Sequence, residues 1–437
     1  MRDGARITAA IAVLDEIDRR HKPVRIALKN WGESARYAGA KDRAFVSGLV
    51  LDALRRRRSL AWRMGVDSQR SVVLAVLGLA WDWPLERIAG AAGEEPHGPG
   101  ALTAEEAAAL TAPRPLEDAP APVRGDYPDW LDGAFERALG SARADEAAAL
   151  AQRGPVDLRV NTLKTDPARV LKALESLGAA HAGILAHALR LPAPAAAARA
   201  AAVESAPEFA KGWFEVQDLG SQVAAAAAGQ VRGKQILDLC AGGGGKTLAL
   251  AAAMGNSGQL YAYDSEARRL SDTVTRGQRA GVRNLQVRSP LRADALLGLE
   301  AKMDLVFVDA PCTGSGTWRR HPDAKWRLTP AQLERRIEEQ DTVLSKAAHY
   351  VRPGGRLVYV TCSLLAEENE DRIAVLRAAA PDFVVVPALE AIGASNLVDA
   401  AGLALLADRA TPEGYLRLTP ATAGTDGFFV AVLERAS

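Results

Sequence analysis

Five short apolar segments, separated by helical stretches, constrain the fold of this chain more than any other feature of its sequence. Alternation of this kind predicts a parallel, doubly wound α/β sheet, because each strand must cross over through a helix before the next can run in the same direction. The segments lie near residues 235–239, 259–263, 285–288, 304–308 and 356–361. Two more apolar runs predict a hairpin near the end of the chain, at 415–418 and 427–433.

The first part of the chain has a helical pattern instead. Within residues 1–90, apolar side chains recur three and four positions apart, as on one face of an amphipathic helix, at Ile7, Ala10, Ile11, Leu14 and Ile17. A second helix is predicted over 42–58, and its end carries the basic run 55–58. This run is either a helix terminus whose cations suit the helix dipole or a contact for RNA phosphates.

Composition shifts between these two parts predict the domain boundaries. Residues 93–123 are rich in Pro, Gly and Ala, which indicates loops. Residues 129–152 are helical again, and 156–162 form an alternating run that predicts a strand, followed by a helix that starts at Pro167. We therefore expect an all-helical domain over 1–125, a small αβ linking domain over 126–215 and a Rossmann-like, doubly wound α/β domain over 216–437.

Charge and cysteine content narrow the functional classes. The 437 residues include 54 Lys and Arg against 53 Asp and Glu, so the net charge of +1 gives no global attraction to nucleic acid and any basic binding surface must be local. The three cysteines form no CxxC pair, which argues against a disulfide framework and a zinc cluster and favours the cytoplasm. The six histidines have no metal-ligand spacing, so no metal is predicted. We expect neither a signal peptide nor a membrane span.

A glycine turn between a strand and a helix, in QILDLCAGGGGKTLALAAAMG, predicts a nucleotide-like cofactor. Glycines let a ligand approach the backbone closely, and the amides at the helix start face whatever binds there. A P-loop requires a glycine five positions before Gly245, where Cys240 stands. A dinucleotide fingerprint from Gly242 requires a small residue where Thr247 stands. The sequence therefore matches neither the P-loop motif nor the dinucleotide-binding motif completely.

The remaining candidate is a site for S-adenosylmethionine. Asp264 ends the next strand, 19 positions after Gly245, which suits hydrogen bonds to ribose hydroxyls. Asp294 follows the third strand. Its carboxylate either accepts a hydrogen bond from an adenine amino group or caps a helix, and both interpretations stay open.

Two cysteines follow neighbouring predicted strands. Cys312 comes just after Asp309, Ala310 and Pro311, and Cys362 comes directly after Thr361. Ligands of open parallel sheets bind outside the carboxyl ends of the strands, so we expect both thiols to face the cofactor. A single cysteine after a strand is usually a small packing residue. Two cysteines beside a predicted methyl donor favour a role for the thiols in the reaction.

A thiol has a specific use next to a methyl donor. Carbon 5 of a pyrimidine is a poor nucleophile, but thiolate addition at carbon 6 turns it into an enamine-like carbon that can attack a methylsulfonium. Nearby cations and helix amides would help to form the thiolate. Asp309 offers the complementary acid, because a carboxyl group there could bond the N3 and N4 edge of cytosine and supply a proton.

These motifs resemble those of a known family. CAGGGGKT, DAPCTGSGT and VTCSLLAEENE are similar to the motifs of the Sun/Nop RNA 5-methylcytosine methyltransferases, specifically the bacterial RsmB-like enzymes that modify 16S ribosomal RNA. The resemblance extends to RVNTLKT, VQDLGSQ, RRHPDAKW and TDGFFVAVL, hence to most of residues 127–437.

The resemblance implies roles for individual residues. Cys362 would be the nucleophile, and Cys312 would aid elimination of the adduct. Cofactor-binding positions fall on Cys240, Ala241, Gly242, Gly243, Gly244, Gly245, Lys246, Asp264, Asp294 and Asp309. The usual turn reads CAAPGGKT, so Gly243 replaces a proline and Gly242 an alanine.

RNA contacts are implied in three places. Arg159 and Asn161 lie in RVNTLKT. The segment DRAFVSGLVLDALRRRRSL diffusely resembles a NusB-like RNA-binding domain. A basic and aromatic cluster after Cys312 either contacts phosphates and stacks on bases or is a surface loop with core tryptophans. It comprises Trp318, Arg319, Arg320, His321, Lys325, Trp326 and Arg327.

We therefore expect a monomeric, S-adenosylmethionine-dependent RNA cytosine-C5 methyltransferase with ribosomal RNA as its partner. Transfer RNA is an alternative substrate. A P-loop NTPase is a further alternative, because LVFVD imitates a strand that ends in a magnesium-binding Asp. The last alternative is a non-catalytic RNA-binding ribosome assembly factor.

Overall fold

The computed structural model describes residues 1–196, 198 and 201–437. Contacts divide the chain into two compact units. The first contains Met1–Arg153, Trp318–Leu328 and the described part of Pro194–Ala200. The second contains Gly154–Ala193, Ala201–Thr317 and Thr329–Ser437.

The helices are numbered in chain order. The first ten are α1 Asp3–Arg20, α2 Val24–Ser34, α3 Ala40–Arg55, α4 Arg57–Met64, α5 Gln69–Ala75, α6 Leu85–Ala92, α7 Ala104–Thr111, α8 Ala121–Arg124, α9 Asp132–Leu139 and α10 Arg143–Leu150. The others are α11 Pro167–Ala173, α12 Pro207–Ala210, α13 Leu219–Ala226, α14 Gly245–Met254, α15 Ala267–Ala280, α16 Ala324–Arg327, α17 Pro330–Tyr350, α18 Glu370–Ala379, α19 Ala388–Ala394, α20 Ala400–Ala407 and α21 Pro420–Ala423. In the part of the chain that the structure describes, none combines the length and apolar character needed to cross a membrane.

The strands follow the same numbering. They are β1 Val156–Val160, β2 Ala180–His181, β3 Ala188–Leu191, β4 Phe214–Val216, β5 Gln235–Asp238, β6 Gln259–Tyr263, β7 Leu285–Arg288, β8 Met303–Asp309, β9 Val351–Thr361, β10 Phe383–Val386, β11 Leu416–Leu418 and β12 Phe428–Arg435.

The basic run 55–58 spans a break between two helices of the first unit. Helix α3 ends at Arg55 and α4 begins at Arg57, so two cations occupy the helix start, which the helix dipole disfavours. Carboxylates compensate there. Arg57 pairs with Asp18 at 2.9 Å and Arg58 with Asp129 at 2.7 Å. The prediction that the run suits a helix C-terminus holds only for Arg55.

A carboxylate distant in sequence caps the start of α4. Asp126 Oδ1 accepts the backbone N–H groups of Arg58 at 2.9 Å and Ser59 at 3.0 Å, and its Oδ2 accepts the Ser59 hydroxyl at 2.6 Å. These amides are among those that have no partner within a helix. The Asp126 charge also acts on Lys325, whose pKa burial lowers to about 8. Burial in turn raises the pKa of Asp126.

Residues 318–328 pack with the N-terminal helices in the first unit. The Lys325 ammonium donates to the Arg55 carbonyl oxygen at 2.6 Å, and Trp326 Nε1 donates to the Leu54 carbonyl oxygen at the same distance. Trp318 meets Phe135 edge-on, with ring centroids 5.6 Å apart. The cluster that follows Cys312 in sequence is therefore in large part core of the helical unit.

The second unit contains a small antiparallel sheet and a large mixed one. The small sheet has the order β2-β3-β1-β4, and α11 covers it, as the strand and the helix start at Pro167 predicted. Its core includes Leu158, Val160, Val170 and Phe214.

The large sheet has the order β10-β12-β9-β8-β5-β6-β7, with β11 paired to β12. Strands β5 to β9 are parallel, which confirms the five predicted strands. The predicted terminal hairpin also forms, from β11 and β12. The sheet as a whole is mixed, because β12 lies antiparallel between β9 and β10.

Strand order and register position the candidate site. The connections run in opposite directions from β5 and β8, which are neighbours, so a crevice opens at their carboxyl ends. Phe307 lies opposite Asp238, and Asp309 lies opposite Val360. The glycine turn after β5, Asp309 and both cysteine loops thus share one edge of the sheet.

The Asp126 cap can be tested by Asp126→Asn, which suits the left-handed backbone at this residue (φ 56°) but removes the negative charge. We expect a loss of about 3 kcal/mol in the free energy of unfolding, because a buried cation loses its countercharge. Asp129→Asn is the control. Asp129 is three-quarters exposed, and the variant should cost less than about 1 kcal/mol. Urea unfolding measures both, and equal losses would contradict the assignment.

Candidate active site

A cleft of about 910 Å³ opens at the carboxyl edge of the large sheet, inside the second unit. This volume suits a nucleoside-sized ligand. Its walls include three groups of predicted site residues: the turn from Cys240 to Lys246 except Gly244, the carboxylates Asp264 and Asp309, and the cysteines Cys312 and Cys362. Fold and register therefore bring together residues that lie up to 122 positions apart.

Some positions of the glycine turn have a backbone conformation that only glycine adopts readily, and others could carry a side chain. Gly242 (φ 51°) and Gly244 (φ 85°) are left-handed, and a Cβ on Gly244 would lie 2.9 Å from Thr273 Oγ1. At Gly243 a Cβ would find ordinary contacts, 3.6 Å from Arg276 Nη1 and 4.0 Å from Asp272 Cβ. The position where the resemblance leads us to expect proline thus has room for a Cβ.

Two side chains of α15 hold the turn, and sequence reasoning missed both. Thr273 Oγ1 donates to the Gly242 carbonyl at 2.9 Å, and the Arg276 guanidinium donates to the Gly243 carbonyl. Arg276 is itself paired with buried Glu215 at 2.9 Å. Helical spacing of three between Thr273 and Arg276 was the available signal, but their target was not evident from the chain alone.

Asp264 and Asp238 also support the turn. Asp264 Oδ2 accepts the Gly242 amide and Oδ1 accepts the Glu266 amide, each at 2.8 Å. The Thr247 hydroxyl donates to buried Asp238 at 2.6 Å, and burial raises the pKa of Asp238 to about 7. Thr247, the residue that spoils the dinucleotide fingerprint, therefore bonds inward to the strand.

Lys246 and Asp309 form an ion pair in the cleft. Nζ of nearly buried Lys246 donates to Asp309 Oδ2 at 2.7 Å, and about a third of the Asp309 side chain is exposed. The Lys246 ammonium also lies 5.2 Å from the centre of the Phe428 ring. One carboxylate oxygen of Asp309 is therefore held, and the group still faces the cleft.

The sulfur atoms of Cys312 and Cys362 lie 3.4 Å apart. Both are free thiols. The hydrogen bond with Cys362, together with burial, raises the pKa of Cys312 well above its usual range, which keeps that thiol protonated. Burial raises the pKa of Cys240 in the same direction, and nearby carboxylates add to it, in keeping with a packing role.

Asp294 is not among the residues that line the cleft. Its exposed carboxylate pairs with Arg292 at 3.0 Å, which lowers the pKa of Asp294. Residues around it form turns without a helix, so the helix-cap alternative is wrong. The adenine contact stays a prediction, and it would require the Asp294 carboxylate to exchange its bond to Arg292.

Four of the six residues expected to contact RNA are buried and engaged with protein. Arg159 donates to Gln217 at 2.7 Å, and Asn161 donates to the carbonyls of Gly212 and Ala280 at 2.8 Å. Lys325 is 1% exposed and Arg319 5% exposed. Direct phosphate contact through these four is not supported, since each would have to leave its core. Arg320 is partly exposed and His321 is exposed.

Among the residues that the structure describes, no three His, Cys, Asp or Glu side chains are grouped so that they could hold a metal ion.

Two family models match the chain. One, described as 16S rRNA methyltransferase RsmB/F, matches residues 227–434. The other, described as the RsmF/B-like ferredoxin-like domain, matches residues 127–198. The boundaries at 125 and 215 and the NusB-like identity of the helices stay predictions.

Curated relatives and a solved structure agree with these models. A probable ribosomal RNA small subunit methyltransferase B from Synechocystis sp. is 33% identical over 317 residues, 71% of this chain and 67% of that protein. The ribosomal RNA small subunit methyltransferase B of Citrobacter koseri is 30% identical over 370 residues, 78% of this chain and 83% of that protein. The crystal structure titled NSun6 from Pyrococcus horikoshii with SFG has the same fold over 71% of this chain and 98% of its own, with a TM-score of 0.59 and 20% identity.

The matched segments contain the glycine turn, Asp309 and both cysteines, and the Citrobacter relative is covered over more than two thirds of its length. The chain therefore belongs to the RsmB/F family of 16S rRNA methyltransferases.

Proposed function

We propose that this protein transfers a methyl group from S-adenosylmethionine to carbon 5 of a cytosine in 16S ribosomal RNA, through a covalent adduct between Cys362 and carbon 6. The observation that carries the proposal is the pair of thiols 3.4 Å apart at the edge of the cleft that holds the glycine turn and the Lys246–Asp309 pair. The family assignment removes the P-loop NTPase alternative.

The donor set of the cleft fits S-adenosylmethionine. The first amides of α14 have no partner within the helix and suit a carboxylate, and Asp264 suits ribose hydroxyls. When bound, the cofactor supplies an electrophilic methyl group on a sulfonium sulfur. Solved NSun6, which has the same fold, carries SFG, an analogue of this cofactor.

In the first step, the Cys362 sulfur forms a bond to carbon 6 of the cytosine. The electron pair of the C5–C6 double bond moves to carbon 5, which becomes the methyl acceptor. The exposed edge of Asp309 can bond N3 and the N4 amino group and hold a proton on the ring. The Cys312 sulfur lies 3.4 Å from the attacking sulfur, within hydrogen-bond distance of it.

In the second step, carbon 5 would form a bond to the methyl group as the bond between that methyl and the sulfonium sulfur breaks, which would leave a neutral thioether. The methylated carbon 5 then loses its proton to water, and the C5–C6 double bond forms again as the C6–S bond breaks. The departing Cys362 sulfur needs a proton or a hydrogen bond at that moment. The protonated Cys312 thiol is within reach to give it, and water returns the proton to Cys312. Cys312 thus assists release, and Cys362 carries the covalent bond.

RNA contact is proposed for the accessible residues of the predicted set, Arg320 and His321. The catalytic cleft adds exposed basic groups of its own, among them Arg269, whose side chain is more than half exposed. Phosphate contacts at such positions would make affinity depend on salt.

Cys362→Ala should abolish methyl transfer, because no other thiol occupies the adduct position, and should leave RNA affinity within about twofold. Bisulfite sequencing of total RNA from a deletion strain that carries the wild-type or variant gene measures the first effect and shows which RNA is modified. Filter binding measures the second. A 5-methylcytosine in 16S RNA that persists with the variant would falsify the assignment. Loss of 5-methylcytosine from a transfer RNA alone would show that transfer RNA, not 16S RNA, is the substrate.

Cys312→Ala should accumulate a protein–RNA species that resists denaturant, because the adduct forms but breaks down slowly. Denaturing gel electrophoresis with labelled RNA measures it, and the Cys312→Ala, Cys362→Ala double variant, which cannot form the adduct, is the matched control. Normal turnover of the single variant without any such species would remove the proposed role of Cys312.

Arg276→Met should weaken S-adenosylmethionine binding about tenfold, since one charge-assisted hydrogen bond to the turn is lost. Gly243→Pro in the same chain should restore part of the affinity, because proline stiffens the turn independently of Arg276. Titration calorimetry measures both. Arg268→Met, an exposed change on the same helix, is the control, and an equal loss there would contradict the role of Arg276.

A further inference from the structure

Three fully buried polar side chains next to the cysteine loops have no part in the two chemical steps. They are Gln340 on α17 and the adjacent residues Glu368 and Asn369 just before α18. Burial of a carboxylate and two amides is unfavourable unless each is bonded, and an apolar residue of similar size would fill the same space at a lower cost in free energy. Their partners therefore indicate what they are for.

Glu368 and Gln340 hold both neighbours of Cys312. The Thr313 backbone N–H donates to Glu368 Oε1 at 2.7 Å, and the Thr313 hydroxyl donates to Oε2 at 2.5 Å. Gln340 Nε2 donates to the Pro311 carbonyl at 2.8 Å and to Glu368 Oε1 at 3.2 Å. The loop is thus fixed on each side of the sulfur-bearing residue.

Asn369 holds both neighbours of Cys362 in the same way. The Thr361 hydroxyl donates to Asn369 Oδ1 at 2.5 Å, and Asn369 Nδ2 donates to the Ser363 carbonyl at 3.0 Å. A further bond joins the two loops, since Ser315 and Ser363 hydroxyls are 3.1 Å apart.

The two clamps belong to one rigid piece of backbone. Glu368 and Asn369 are consecutive, and the buried Tyr359 hydroxyl on β9 donates to the Glu368 carbonyl at 2.7 Å. Movement of one loop relative to the other must therefore break bonds to this dipeptide. The Glu368 charge also adds to the hydrogen bond with Cys362 and to burial in raising the pKa of Cys312.

We propose that Glu368 and Asn369 are positioning residues that set the separation of the two sulfur atoms, Glu368 for release of the adduct through Cys312 and Asn369 for its formation through Cys362. The proposal rests on the proposed function, because it assigns each clamp to one of its two steps. It predicts opposite effects on the amount of adduct for changes at two neighbouring residues, whereas a role in folding alone predicts the same effect for both.

The test compares the denaturant-resistant protein–RNA species among full-length variants with S-adenosylmethionine and 16S RNA. Glu368→Gln loses an acceptor for Thr313 and should raise the amount of this species about tenfold over wild type, as Cys312→Ala does. Asn369→Asp loses the donor to Ser363 and should slow its formation about tenfold, as Cys362→Ala does in the limit. Cofactor affinity, measured by calorimetry, should stay unchanged in both.

Conservative variants on the loop side guard against simple misfolding. Thr313→Val should act like Glu368→Gln, because it removes a bond to the Glu368 side chain from the other end. Thr361→Val should act like Asn369→Asp, because it removes the second of the two bonds by which Asn369 holds the Cys362 loop. Thr361→Ser keeps the hydroxyl and should restore formation. Glu370→Gln, two residues beyond Glu368 and paired with Arg417, is the matched control and should behave as wild type.

Opposite changes at the two clamps support the proposal. A decrease of the trapped species in all four clamp variants, or no change in any, overturns it. The proposed function fails in a different way, namely when Cys312→Ala traps no RNA at all. Trapping by Cys312→Ala together with wild-type behaviour of the clamp variants overturns only the positioning role.

Discussion

The parallel pairing of β8 with β9 is the constraint on which the candidate site depends. It places Asp309 opposite Val360, so that the loops after both strands leave the same edge of the sheet and two thiols meet at 3.4 Å. A change of register by one residue would turn alternate side chains to the other face and separate the pair. The segments Leu305–Val308 of β8 and Leu357–Thr361 of β9 are buried without interruption, hence on both faces, which makes that register firm.

Several polar side chains near this edge of the sheet hydrogen-bond to the loops that carry the predicted site residues. Asp264, Thr273 and Arg276 all hydrogen-bond to the glycine turn. Buried Glu215 holds the Arg276 guanidinium in place through an ion pair. A turn that lacks the usual proline thus gains external support. The same logic holds at the cysteines, where each loop is bonded on both sides of its sulfur. In both places, buried or partly buried side chains fix the backbone on which the predicted site residues stand.

Basic residues illustrate the limit of inference from composition. The run 55–58 and the cluster after Cys312 both suggest an RNA surface, yet Arg55 and Lys325 are buried together in the helical unit, where Lys325 donates to the Arg55 carbonyl. Burial lowers the pKa of Arg55 to about 10, a sign of how fully water is excluded. Because residues 318–328 pack in that unit, removal of the N-terminal helices would expose apolar side chains such as Trp318.

The sequence by itself determined the five parallel strands, the terminal hairpin, the glycine turn and the pair of cysteines after strands, because these depend on local periodicity and on residues close in the chain. The family followed from the same motifs. Only the tertiary structure decided that Arg159, Asn161, Arg319 and Lys325 face the protein, that Asp294 lies outside the cleft, and that Glu368 and Asn369 clamp the cysteine loops. Except at Asn369 and Asp294, these outcomes depend on surfaces that meet across 51 to 270 positions of sequence. A cation or a carboxylate has the same local sequence pattern whether its partner is solvent, RNA or a carbonyl of its own chain.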